Sequence, residues 1–148
     1  TKNEQVSVYQ LFDRLAGSIQ TSNFQLALDF LTQYLSSTYD DPLLTSVFFY
    51  DSALETYLNF GNTKTVLLSG VSTKPYRSGG TYTGDAINKT VAKILTANFE
   101  KGMGKILIVM TDGKSFDPVL ESANYARANG ITTIVIGIGS NLNDTQLL

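Results

Sequence analysis

Two strongly apolar runs stand out in the second half of the chain. Residues 106–110 contain no polar side chain, and residues 131–138 form a second apolar run. Runs of this kind are typical of strands in a parallel sheet that is covered by helices on both faces. We therefore predict two neighbouring parallel strands. The first of them leads to a carboxylate, Asp112, which Gly113 follows.

The segment between these two runs carries the signals of a helix. Asp117 followed by Pro118 predicts an N-cap with proline in the first turn, and Gly130 predicts the C-terminal stop. The residues that predict its buried face are Leu120, Ala123 and Ala126. Strand, helix and strand together predict a right-handed crossover unit.

The first half of the chain predicts a strand, a long helix and a hairpin. Residues 6–12 are moderately apolar and lead to Asp13, and a capping box at residues 22–25 predicts the start of the helix. Residues 45–50 and 55–60 form two strand-like runs whose link is so short that it permits only an antiparallel pair. The apolar positions of the helix recur at helical spacing: Phe24, Ala27, Leu28, Leu31 and Leu35.

Two more helices are predicted between the hairpin and the first apolar run. Residues 64–71 favour a short helix, and a threonine-rich loop at residues 81–84, in which Thr83 is the expected cap, opens onto the next one. The apolar face of that helix consists of Ile87, Val91, Ile94 and Leu95. The order of elements predicts a single α/β doubly wound domain over residues 1–148. Its central sheet is mostly parallel with one antiparallel edge strand, and helices cover both faces.

Composition excludes several kinds of catalytic and metal chemistry but says less about the fold. The 148 residues are 43% hydrophobic, which is enough apolar content for one domain. The chain has no histidine and no cysteine, which excludes a Ser-His-Asp triad, a thiol nucleophile, a His/Cys zinc site and a disulfide. With a formal charge of −2 and no basic block, nucleic acid is not an expected partner. No run reaches the roughly 18 apolar residues of a membrane span, so we expect no membrane insertion.

Three loops are expected to meet at the carboxyl end of the sheet, where doubly wound proteins bind their ligands. They contain residues 13–18, residues 81–84, and Asp112 with Gly113. Their carboxylate and hydroxyl oxygens suit a hard cation such as Mg²⁺. Each has a structural alternative: Asp112 could cap a turn, Thr81 could cap the following helix, Ser18 could shape its loop, and Asp13 could pair with its neighbour Arg14 at the surface.

Four segments in order resemble the von Willebrand factor type A family, which includes integrin inserted domains and matrix adhesion modules. Residues 17–24 are similar to the end of the family's first motif, residues 79–84 to its threonine loop, residues 108–113 to its second aspartate motif, and residues 134–139 to the following strand. Each match is weak alone, but the set covers nearly the whole chain. The family's last strand and helix have no counterpart before Leu148, so we expect part of a larger multidomain protein and a bare sheet edge.

The resemblance also implies a metal ion-dependent adhesion site. In the family this site holds Mg²⁺ or Mn²⁺ with an Asp-x-Ser-x-Ser motif, a threonine and an aspartate. Carried over to this chain, Thr81 takes the threonine position, Asp112 the second aspartate and Ser18 the last serine.

The first motif departs from the family pattern. Counted back from Ser18 without a gap, Ala16 takes the first serine position and Arg14 the first aspartate position, and neither side chain coordinates a cation. One extra residue restores Asp13 as the aspartate, but the first serine is still missing. A guanidinium beside the site would compete with a metal for the same negative potential. We therefore expect a degenerate site with weak metal affinity or none.

The resemblance implies a non-catalytic adhesion module that binds a protein partner, with collagen or another matrix protein as the candidate. Two alternatives stay open: a Mg²⁺-dependent phosphoryl-transfer enzyme using Asp13 and Asp112, and a purely structural matrix module whose metal site has decayed. The phosphoryl-transfer alternative would need a second carboxylate close after Asp13, and the sequence has none there. Residues 88–90 and 143–145 fit the N-glycosylation sequon, which together with the resemblance favours a secreted, extracellular protein.

Overall fold

The computed structural model describes residues 6–13, 21–37, 45–51, 53–58, 64–72, 75, 80–97, 103–112, 114–139 and 142. Within these ranges the chain alternates strands with helices, apart from one hairpin and one pair of consecutive helices. The elements are β1 (Val6–Asp13), α1 (Thr21–Ser37), β2 (Thr45–Tyr50), β3 (Leu54–Leu58), α2 (Lys64–Ser72), α3 (Thr83–Thr96), β4 (Gly104–Thr111), α4 (Val119–Ala128) and β5 (Ile131–Gly137).

The strands form one sheet in the order β3-β2-β1-β4-β5. The β1–β2, β1–β4 and β4–β5 pairs are parallel, and β2–β3 is antiparallel. This confirms the predicted doubly wound class, with its mostly parallel sheet and antiparallel edge strand. Because the chain first winds from β1 towards β3 and then returns to place β4 on the other side of β1, the winding reverses between β1 and β4.

Each face of the sheet has its own buried layer. Alternate residues of a strand point to opposite faces, so Phe49 and Met110 pack with α1 and α2, whereas Phe48 and Val109 pack with α3 and α4. The predicted apolar face of α1 is buried at all five positions. On α3, Ile87, Val91 and Ile94 are buried as predicted, but Leu95 is exposed.

The prediction of which α4 residues are buried is wrong in part. Leu120 is 70% exposed, whereas Ser122 and Ala126 are buried and Val119 packs against the α3 layer. These three residues have the helical spacing of a packing face, but two of them are small, so the larger Leu120 dominated the hydrophobic pattern. The helix does end as predicted, because Gly130 has a φ of 72° that suits a residue without a side chain.

Three other predictions at element ends and edges need correction. The capping box predicts a helix start two residues too late, because it makes Ser22 the N-cap whereas α1 already starts at Thr21. The Gln25 amide donates forward to Asp29 at 2.9 Å instead of turning back to the helix start. The strand predicted over residues 55–60 runs over Leu54–Leu58. β5 is not covered on both faces, because Ile134 and Val135 are exposed in the described part of the molecule. Within that part, none of the helices has the length and apolar character needed to span a bilayer.

Candidate functional site

The candidate site lies at the carboxyl end of the sheet, where β1 and β4 are neighbours. Phe12 is in register with Met110, so Asp13, the last residue of β1, stands at the same level as the end of β4. Asp112 follows β4 directly. This is the position at which the winding of the sheet reverses, and doubly wound proteins bind ligands at such positions.

Asp112 is a buried carboxylate, only 3% exposed. Its Oδ1 atom accepts the backbone N–H group of Lys114 at 3.0 Å, which is a turn of the kind expected of a capping aspartate. Its Oδ2 atom is also buried, and among the described residues it has no hydrogen-bond partner. A buried carboxylate oxygen without a partner is costly, so this atom is available for a ligand.

Thr81 presents a second oxygen of this kind. The residue is 1% exposed, and its Oγ1 atom is buried without a partner in the part of the chain that the structure describes. The backbone carbonyl of Thr81 accepts the N–H group of Phe116 at 2.9 Å. The loop before α3 is therefore bonded to the loop after β4, and each loop carries one buried, unpartnered oxygen.

Asp117 joins the same two loops, but in a role that the sequence did not predict. Its Oδ1 atom accepts the N–H group of Gly84 at 3.0 Å, and its Oδ2 atom accepts the N–H group of Asp85 at 2.6 Å. Asp117 therefore caps α3 and not α4, whose N-cap position is Pro118 without a side-chain cap bond. The prediction was wrong because an Asp-Pro pair before a helix has the same sequence signal whichever helix it caps.

Ser115 completes this cross-loop cap. Its hydroxyl donates to the carboxylate of Asp117 and accepts the backbone N–H group of Thr83 at 2.9 Å. Three consecutive N–H groups in the first turn of α3 thus find acceptors on the loop after β4. These are the donors that a helix start leaves without partners inside the helix.

Gly84 permits this close contact between α3 and the loop. A Cβ atom at this position would lie 2.3 Å from the backbone oxygen of Pro118. Because that oxygen belongs to the backbone, it cannot move aside as the end of a side chain could. The sequence shows a glycine in the threonine-rich loop but contains no local signal for the contact that requires it.

Thr83 was predicted to cap α3, and the structure corrects this prediction. Tyr82 occupies the N-cap position without a side-chain cap bond, and Thr83 is the first helical residue. The Thr83 hydroxyl instead lies 3.0 Å from the buried hydroxyl of Tyr50, at the end of β2. The pair fixes the start of α3 against the sheet. The sequence carried no signal for Tyr50, since an aromatic residue at the end of an apolar strand is typical of core.

Two exposed aromatic side chains belong to the same two loops as the buried oxygens. Phe116 is 76% exposed and Tyr82 is 40% exposed, and their ring centroids are 5.9 Å apart with the planes tilted by 41°. Large apolar groups at the rim of a polar site are common anchors for protein partners. We call Thr81, Tyr82, Asp112 and Phe116 the loop-end site.

The remaining predicted ligands are only partly described. Asp13 ends β1 at the level of the loop-end site, but its side chain is outside the described part of the structure. Arg14, Ala16 and Ser18 lie outside the described residues altogether. Within the described ranges there is no group of three or more histidine, cysteine, aspartate or glutamate side chains that could hold a metal ion.

Comparison with known proteins identifies the family to which this geometry corresponds. A sequence model of the von Willebrand factor type A domain matches residues 11–148. Human cochlin is 32% identical over 128 residues, a match that spans 83% of this chain and 23% of cochlin. Mouse vitrin is 32% identical over 127 residues, or 83% of this chain and 19% of vitrin. The chain therefore spans less than a quarter of these relatives.

Solved structures with the same fold include metal-bound proteins. The manganese-loaded TRAP protein of Plasmodium vivax has a TM-score of 0.86 and 25% identity, covering 98% of this chain and 61% of that one. Proximal thread matrix protein 1 of the mussel byssus, in a form with a zinc-occupied MIDAS motif, has a TM-score of 0.82 and 26% identity. That match covers 97% of this chain and 40% of the mussel protein.

These comparisons bear on several of the alternatives. The relatives are non-enzymatic matrix proteins, which supports the prediction of a secreted, extracellular domain that is not an enzyme. The predicted secretion and the predicted lack of enzymatic activity are thereby confirmed, and the phosphoryl-transfer alternative loses its basis. Of the two structural neighbours, the TRAP protein is manganese-loaded and the mussel protein holds zinc in its MIDAS motif.

Proposed function

Since the chain belongs to the von Willebrand factor type A family, we propose that it is an adhesion module that docks a matrix protein at the loop-end site. One observation carries the proposal. Asp112 Oδ2 and Thr81 Oγ1 are both buried without partners among the described residues, on two loops that are bonded to each other. Such atoms are normally paired, and these two lie at the end of the sheet where doubly wound proteins bind ligands, which supports a site for a group from outside the chain.

The donor set fits a divalent cation, although incompletely. Asp112 and Thr81 would hold the ion with hard oxygen atoms, and Asp13 and Ser18 would complete the set. A bound ion supplies an open coordination position for a carboxylate of the partner. Ala16 offers no oxygen where the family has its first serine, so we expect weak affinity, roughly millimolar as in weak extracellular cation sites.

The surroundings of the site indicate a partner that presents both an acidic group and an apolar group. The acidic group would meet the cation beside Asp112. The apolar group would contact Phe116 and Tyr82, whose exposed rings stand beside Thr81. Burial of one such ring against a partner is worth roughly 1.5–3 kcal/mol, which makes the pair the main anchor when the cation is weakly held. We propose collagen or another fibrous matrix protein as the partner.

Surface plasmon resonance on immobilised fibrillar collagen, with a panel of other matrix proteins, tests this proposal. The wild type is expected to bind more tightly in excess Mg²⁺ than in chelator, and Asp112→Asn is expected to abolish that difference. Glu121→Gln is the matched control, because Glu121 is an exposed acid on α4 that does not belong to the loop-end site. Equal Mg²⁺-dependent binding by the wild type and Asp112→Asn would overturn the proposal.

Binding that is the same in Mg²⁺ and in chelator, but lost when Phe116 is replaced, would support the docking surface and show that the cation has no part in binding. Binding that none of these substitutions alters would place the partner elsewhere on the molecule. We further propose that the domain is one module of a larger multidomain protein, since it spans only 23% of cochlin and 19% of vitrin.

A further inference from the structure

The sequon Asn88-Lys89-Thr90 lies in the middle of α3, outside the loop-end site. Asn88 and Lys89 are exposed, whereas Thr90 is fully buried. The asparagine amide is therefore at the surface, while the residue that completes the sequon faces the core. Both positions follow from the helical repeat, because Thr90 shares the buried stripe of Ile87, Val91 and Ile94.

The hydroxyl of Thr90 has no use in the fold that the structure describes. Its Oγ1 atom is buried, and within the described ranges no group hydrogen-bonds to it. A threonine with an unpartnered hydroxyl on a buried helical stripe lowers stability, because the hydroxyl is removed from water without gaining a partner. Valine would fill the same space without this cost. A residue type that the packing does not favour requires another explanation.

We propose that Asn88 is a site of N-linked glycosylation and that Thr90 is present to complete its sequon. The chain is an extracellular module, so it passes through the compartment where this modification occurs. Because the oligosaccharide is attached to the chain before α3 packs, burial of Thr90 in the finished fold does not prevent its recognition. The exposure of Asn88 follows from the helical repeat, whereas the missing partner of the Thr90 hydroxyl does not.

The modification requires a lipid-linked oligosaccharide diphosphate as the donor. The Nδ2 atom of Asn88 forms a bond to the anomeric carbon of the first N-acetylglucosamine, and the bond from that carbon to the diphosphate oxygen breaks. The amide nitrogen loses one proton to a base of the transferring enzyme. The lipid diphosphate leaves with the electron pair of the broken bond, so no oxidant or reductant is needed.

The attached sugar would lie beside an open groove between α3 and α4. Asn88 lines this groove together with Asp85, Glu121 and Tyr125. The exposed ring of Tyr125 offers an apolar face for the first sugar, and the two carboxylates offer acceptors for its hydroxyl groups. The glycan would cover this flank of the domain and leave Phe116, on the loop-end site, open to a partner.

Mass spectrometry of the chain secreted from a eukaryotic cell tests the proposal. Peptide N-glycosidase digestion in heavy-oxygen water converts a glycosylated asparagine to labelled aspartate, and we expect the label at Asn88. Thr90→Ser keeps the sequon and should keep the label, whereas Thr90→Val and Asn88→Gln should lose it. An unlabelled Asn88 in secreted wild-type chain, with a co-expressed glycoprotein labelled normally, would overturn the proposal.

A second measurement separates the sequon from a role of Thr90 in folding. Unglycosylated wild type and unglycosylated Thr90→Val are compared by urea unfolding. We expect Thr90→Val to unfold at the same or a higher urea concentration, since it removes a buried hydroxyl that has no partner. A clear loss of stability in Thr90→Val would show that the fold uses the hydroxyl and would overturn the explanation given for Thr90.

Discussion

The carboxylate of Asp117 accepts the backbone N–H group of Asp85 at 2.6 Å, although thirty-two positions of the chain separate the two residues. The same carboxylate accepts the N–H group of Gly84. A residue of the loop after β4 thus caps the helix that begins after the threonine-rich loop. Since these loops carry Asp112 and Thr81, the cap holds the two halves of the loop-end site together.

Replacement of Asp117 should therefore loosen both α3 and the site. Asp117→Ala removes two charge-assisted hydrogen bonds at the start of a helix, and we expect it to lower the free energy of unfolding by about 1–3 kcal/mol. Urea unfolding followed by circular dichroism measures this change. Glu121→Ala is the control, because an exposed acid in the first turn of α4 contributes only through the helix dipole, about 0.3–1 kcal/mol. Equal effects of the two substitutions would contradict the role given to Asp117.

Because α3 lies close to the loop after β4, we expect a substitution of Gly84 to be destabilising. Gly84→Ala would place a Cβ atom 2.3 Å from the Pro118 oxygen, so α3 has to shift, at a cost of about 1–3 kcal/mol by analogy with overpacked cores. Gly80→Ala is the matched control. Its added Cβ atom meets a ring carbon of the exposed Tyr82 side chain at 3.0 Å, and a side chain can shift where a backbone oxygen cannot. Thermal unfolding of the two variants should differ clearly, and similar midpoints would contradict the contact.

The buried pair of Tyr50 and Thr83 can be tested by a double-mutant cycle. Tyr50→Phe removes this hydrogen bond from the Thr83 hydroxyl, and Thr83→Val removes it from the Tyr50 hydroxyl. Each substitution alone should lower the free energy of unfolding by about 1–2 kcal/mol. The double variant should cost less than the sum, with a coupling of about 0.5–1.5 kcal/mol. Additive losses in urea unfolding would show that the two hydroxyls do not interact.

Phe116 and Leu120 form a natural pair for testing the docking surface. Both are large and more than two-thirds exposed, but Phe116 belongs to the loop-end site whereas Leu120 lies on α4. Neither substitution to alanine should alter stability by more than about 0.5 kcal/mol. Phe116→Ala should weaken matrix-protein binding by roughly tenfold or more, as expected for an aromatic anchor that becomes buried against the partner. Leu120→Ala should leave binding unchanged. Equal binding by both variants would exclude Phe116 as an anchor.

The parts of the fold that depend on local pattern could be predicted from the sequence. Every predicted buried residue of α1 is buried, because a helix packed on one face repeats its apolar residues at a fixed spacing. The position of Asp112 could also be predicted, since a buried parallel strand ends at the ligand-binding edge of its sheet. Where small residues such as Ser122 form the packing face, as in α4, the hydrophobic pattern pointed to Leu120 instead.

The contacts between loops could not be predicted in this way. Ser115, Asp117 and Tyr50 act on α3 from distant parts of the chain, and a single sequence contains no local signal for the partner of a hydrogen bond. The exposed faces of Ile134 and Val135 were missed for a related reason. An apolar strand has the same composition whether or not another element covers it.

The central claim is that Asp112 and Thr81 together form a cation-assisted docking site. Paramagnetic broadening of the amide NMR signals by substoichiometric Mn²⁺ tests it most directly, because broadening reports the location of even a weakly bound ion. We predict the strongest broadening at Thr81 and Asp112, little at Lys105 near the opposite end of β4, and loss of the effect in Asp112→Asn. Broadening centred on Asp85 and Glu121, or unchanged in Asp112→Asn, would contradict the claim.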